Sequence, residues 1–130
     1  MSNELFSLAI NNFNRLVELC PFLLEDVIPS SHFSVGTCNY LLDFKIEIIN
    51  SNHDFTELIL SYSQDNTVLD PVMKVFIIRT HGVVFPISYN DGDVFLEYSN
   101  SDFRSRLSLS YFLSFWLDDL LTQNYTIPQF

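Results

Sequence analysis

The spacing of apolar residues changes period twice along this chain. Between Asn3 and Cys20 they fall at Phe6, Ala9, Ile10, Phe13, Leu16, Val17 and Cys20. Steps of three and four predict an amphipathic helix with one buried stripe. Leu42, Phe44, Ile46 and Ile48 then alternate with Asp43, Lys45 and Glu47, the mark of a strand with one wet face. The helical step returns at Leu109, Phe112, Leu113, Trp116, Leu117, Leu120 and Leu121. In 130 residues there is room for one domain. The order helix, strands, helix predicts a single α+β domain over residues 1–130. Its antiparallel meander has about five to six strands, with an N-terminal helix near 3–20 and a C-terminal helix near 102–122 packed on one face.

The middle of the chain supplies the strands. Phe33 to Cys38 reads as a short first strand, and Thr56, Leu58, Leu60 and Tyr62 as an alternating set after the turn cluster Asn50–Asp54. Ser63 to Pro71 reads as a longer polar loop. Val72–Thr80 and Val83–Tyr89 are joined by His81-Gly82, a hairpin signal because glycine accepts positive φ. Asn90–Asp93 is another turn before a short strand at Val94–Tyr98, and Pro21 ends the first helix. Val83, Phe85, Ile87 and Tyr89 alternate with Val84, so the second hairpin strand is apolar on both sides and needs cover on both. The tail from Tyr125 to Phe130 and a second copy of the chain are the two candidates for that cover. Trp116, mid-stripe, is expected to be buried against the first helix and the sheet.

Six Lys+Arg face sixteen Asp+Glu, a net charge of −10. That balance disfavours nucleic acid, which is bound by cations that neutralise phosphates. It disfavours anionic membrane surfaces for the same reason, and it favours solubility or a basic protein partner. Met1–Leu5 has no basic stretch of the kind that opens a signal peptide. No apolar run approaches the ~20 residues of a membrane span. Cys20 and Cys38 form no spacing motif and read as reduced structural thiols. These features together point to the cytoplasm.

No catalytic signature emerges. His32, His53 and His81 lie in or beside turns, without the i,i+4 spacing of a zinc helix and without a Cys-x-x-Cys. In the meander at least one of them is expected to be remote from the others, so no metal site and no cofactor are expected. With 3 glycines there is no phosphate-cradling loop, and no Gly-x-Ser-x-Gly is present. Asn90–Asp93 lacks the alternating ligands of a calcium loop. Asp118 and Asp119 sit near a helix C-terminus, where the dipole disfavours them. Exposure or a cationic neighbour, Arg15 or Arg79, would relieve that mismatch.

Four ordered motifs carry a resemblance. Asn12 to Pro21 is similar to an Asn-aromatic-x-x-Leu-x-x-Leu-x-Pro pattern, and Tyr98-Ser99-Asn100 to a Tyr-Pro-Asn motif with Ser for Pro. Phe112 to Leu117 matches Phe-Leu-x-x-Trp-Leu, and Ile127 to Phe130 an aliphatic-Pro-x-aromatic tail. In that order they resemble the YqiB-like family of small bacterial cytoplasmic proteins, which has no assigned function. The polar motifs depart from it. Ile78-Arg79-Thr80-His81 stands where the family has Tyr-His-Asp-Ala, and Arg104-Ser105-Arg106 where it has Asp-Glu-Lys. The resemblance therefore implies a scaffold, with Asn12, Tyr98, Asn100 and the indole N–H of Trp116 as matched polar groups. Asn12 is expected to bond backbone at a helix-to-sheet junction and Asn100 to cap the closing helix.

Asn12, Arg15, Arg79, His81, Tyr98 and Asn100 are the candidate binding residues. The leading expectation is a non-catalytic protein-interaction or adaptor module, with self-association as a homodimer within that reading. A small-molecule binder or minor enzyme, with a pocket between sheet and helices, is the alternative. A third is an acidic secretion-chaperone-like protein.

Overall fold

The computed structural model describes residues 3–25, 32–36, 42–65, 67–97 and 102–125. Helix α1 spans Asn3–Leu19 and runs into a 3₁₀ turn at Pro21–Leu24. Six strands follow: β1 His32–Gly36, β2 Asp43–Ser51, β3 Phe55–Gln64, β4 Thr67–Ile78, β5 Val83–Asn90 and β6 Phe95–Glu97. Helix α2, Phe103–Thr122, closes the order. The strands pair in sequence order as one antiparallel meander. Both helices lie on the same face of it, sharing one buried cluster with the strands.

Alternation decides which face. Phe44, Ile46 and Ile48 on β2 oppose Tyr62, Leu60 and Leu58 on β3. Leu58 and Leu60 in turn oppose Val75 and Met73 on β4. Apart from the half-buried Tyr62, these side chains are fully buried and share one cluster with Leu16 of α1 and Leu113, Leu117 and Leu120 of α2. The other face carries Lys45, Glu47, Glu57 and Lys74 beside Ile59, Phe76 and Phe85. Phe55 and Phe76 stack there at 5.2 Å. Val84 faces the helices while Val83 lies on the outer face and is also buried. A register shift between Lys74 and Val75 then returns Tyr89 to the inner face, where its ring meets Phe112 at 5.2 Å. The last strand is only three residues long, a common way to blunt a sheet edge.

Several expectations change. Ser63–Pro71 is not a loop: β3 continues to Gln64, and β4 begins at Thr67. Polar residues suit a strand end that leaves the core, so composition concealed a long hairpin. The α1 stripe is rotated, with Phe6 and Ile10 exposed while Asn12 and Leu19 are buried. The hairpin between β4 and β5 takes four residues, Arg79–Gly82, with Gly82 at φ +63. Asp102, not Asn100, caps α2: its carboxylate accepts from the Ser105 N–H at 2.8 Å. That bond holds the Asp102 carboxyl below its ordinary range. Tyr98, Asn100 and the tail 126–130 lie outside the described residues. Tyr125 packs on Phe44, on the inner face, so it does not cover the outer side of β5.

The histidine-bearing turns are also placed differently from the expectation. In a meander it is consecutive turns that lie at opposite ends; the β2–β3 turn with His53 and the β4–β5 turn with His81 share one end. His32 begins β1 level with Ile48, near that same end. Even so, no group of three metal-ligating residues forms among the described residues. Among them, too, no helix is long and apolar enough to cross a membrane.

Candidate functional site

Phe112, Phe115, Trp116 and Asp119 fall at i, i+3, i+4 and i+7 of α2, which puts them on one flank of the helix. That flank overhangs the sheet where β3 and β4 lose register. Ser61 opposes Val72 but Tyr62 opposes Leu69, so Asp70 and Pro71 are extra residues on β4. Bulges of this kind re-aim side chains and tolerate proline. Tyr62, Pro71, Phe112, Phe115, Trp116 and Asp119 together line a cleft of about 460 Å³.

The rings of the cleft are held by one another. The Trp116 indole N–H donates to the Tyr62 hydroxyl at 3.0 Å. Trp116 lies 5.5 Å from Phe44, edge to face, 5.7 Å from Tyr62 and 5.8 Å from Phe112. Each separation falls in the range where aromatic pairs attract. Burial, and the Asp119 carboxylate nearby, push the Tyr62 hydroxyl above its ordinary pKa, against the indole bond. Phe115 takes no part in this packing and is 71% exposed. The wall is therefore rigid, largely apolar and open, with a carboxylate among its lining residues.

The residues singled out by sequence lie elsewhere, in two groups. Asn12 is fully buried, and its amide donates to the Ser110 carbonyl at 2.9 Å. It thus bridges α1 to α2, not a helix to the sheet. Arg15 Nε donates to Asp118 at 2.6 Å, and its Nη1 donates to the Asn12 carbonyl oxygen at 3.4 Å. Arg15 is thus the cationic neighbour that Asp118 needs. Small buried residues, Ala9, Ser110 and Ser114, line these two helices. Tyr111 adds a hydroxyl donated to the Glu4 carboxylate.

The second group is at the far end of the sheet. Arg79 donates to the carbonyls of Glu25 and Asn52, and its own N–H bonds Asp54 at 2.8 Å. It ties the 3₁₀ turn to two hairpins. His81 shares a hydrogen bond with Thr80 at 3.1 Å. A smaller depression of about 210 Å³ lies here, lined by Phe13, Leu23, Leu24, His53, Arg79 and Thr80. Two of the Arg79 guanidinium bonds go to backbone carbonyls. Burial pushes the Cys20 thiol far up, so it is an inert core residue. No family model, curated protein or solved structure matches the chain.

Proposed function

We propose that this chain is a non-catalytic protein-interaction module of the cytoplasm, and that the cleft between α2 and the β3–β4 distortion is where its partner docks. One observation carries the reading. A phenylalanine stands 71% exposed at the mouth of a ring cluster that is already fixed. Preorganised aromatic walls lower the entropy lost on binding, and aromatic residues dominate the energetics of protein interfaces. Kinship with the YqiB-like family belongs to the same proposal, since its Phe-Leu-x-x-Trp-Leu motif supplies the helical wall through Phe112 and Trp116. Selection of peptides from a random library against the immobilised protein tests it. Phe115→Ala should weaken the selected binders about tenfold or more; equal binding to both proteins would dismiss the cleft.

Two further readings have support of their own. The cleft volume lies within the range of ~300–1,000 Å³ common to small-molecule sites, which favours a metabolite binder. Native mass spectrometry of the purified protein would reveal a co-purifying ligand. Self-association is favoured by the stacked Phe55 and Phe76 on the outer sheet face, where Phe55 is 40% exposed. A clean monomer mass by light scattering at micromolar concentration would remove it.

A further inference from the structure

Among the described residues that line the cleft, Asp119 is the one carboxylate and none is Lys or Arg, and no described cation pairs with Asp119. An apolar side chain entering the cleft would strip water from that carboxylate and leave it unpaired, which costs free energy. A cation entering the same space would be compensated twice, by the carboxylate and by the faces of the rings. The surrounding charge acts in the same direction, since a net charge of −10 draws basic segments toward the surface before contact.

We infer that the occupant of the cleft is an arginine side chain from a basic segment of a protein partner, its guanidinium paired with Asp119 and stacked on the exposed ring of Phe115, at the rim of the buried Trp116. This rests on the docking reading above and gives it a chemistry. Arginine fits better than lysine for three reasons. Its planar cation stacks on rings, its fork matches a carboxylate, and it gives up hydration more easily than an ammonium. Phe115 has the exposure to close over the plane from outside, while Trp116 is held in place from inside by Tyr62.

The chain has one tryptophan, and it lines the cleft, so Trp116 emission reports occupancy. The probes are three blocked glycine–serine heptapeptides carrying arginine, lysine or citrulline at the same two positions. Citrulline keeps the shape of arginine and removes the charge. The arginine peptide should shift Trp116 emission saturably, and the citrulline peptide should bind about tenfold more weakly, with lysine between them. Asp119→Asn and Phe115→Ala should each weaken the arginine peptide about fivefold. Asp118→Asn makes the same change in net charge one residue away, at a side chain that faces Arg15. It should leave binding within about twofold. All three positions are exposed, and circular dichroism confirms that the variants fold.

Equal binding of the arginine and citrulline peptides would overturn the inference. So would equal losses in Asp118→Asn and Asp119→Asn, which would mean diffuse attraction without a site. If library-selected peptides bind through Phe115 while the arginine peptide does not, the inference falls and the docking site stands. If neither class binds, both fall.

Discussion

On the flank of α2 that faces α1, polar atoms meet polar atoms: Asn12 reaches the Ser110 carbonyl, Arg15 reaches Asp118, and Tyr111 reaches Glu4. On the flank that faces β3 and β4, rings meet rings, and one ring, Phe115, stands in solvent. The same helix thus carries a closed seam and an open one. Where two elements are joined for good, each donor finds an internal acceptor and small residues fill the space. Where a surface is kept for another molecule, the apolar groups are fixed in place but left uncovered. The exceptions on the closed side are small. Ser110 Oγ is buried without a hydrogen-bond partner among the described residues.

Substitutions along the two flanks should separate by size. Trp116→Ala removes the ring shared by core and cleft and should cost about 3–5 kcal/mol of stability in urea unfolding. A smaller loss would mean that the rings of the open flank are loosely held. Asn12→Ala deletes a buried hydrogen bond between the helices, while the Ser110 carbonyl keeps its bond within α2, and should cost about 0.5–1.5 kcal/mol. If it were neutral, the closed flank would owe nothing to its polar bridge. Asp118→Asn breaks a largely exposed ion pair and should cost less than about 1 kcal/mol, fading further in salt. Phe115→Ala should change stability by no more than about 0.5 kcal/mol while weakening the library-selected peptides about tenfold or more. A large loss of stability there would turn the open ring into a structural one.

Much of the scaffold was legible because it depends on period. The positions from Leu109 to Leu121 and the alternation from Phe44 to Ile48 each put a hydrophobic face in one direction, and the sheet and helices meet on those faces, while Leu42, just before β2, is exposed. Two kinds of feature were not legible. One is register: nothing in Ser63–Pro71 announces that β4 starts at Thr67, or that Asp70 and Pro71 are extra residues that open the cleft. The other is the direction of a polar side chain. Asn12 and Arg15 looked like binding groups because cations and matched polar residues are scarce, yet their hydrogen bonds all go to α1 and α2. The cleft did leave one trace. Phe115 is an aromatic residue just off the buried stripe of α2, where a polar residue is the ordinary choice. An apolar side chain that breaks the pattern of an amphipathic helix is a mark of a second surface.

The most direct test of the contrast between the flanks is a map of amide chemical shifts on adding a library-selected peptide to the labelled protein. The account predicts the largest changes at Tyr62, Phe112, Phe115, Trp116 and Asp119, with Asn12 and Arg15 nearly still. Changes centred on Asn12 and Arg15, or on Phe76 and Phe85 across the sheet, would contradict it.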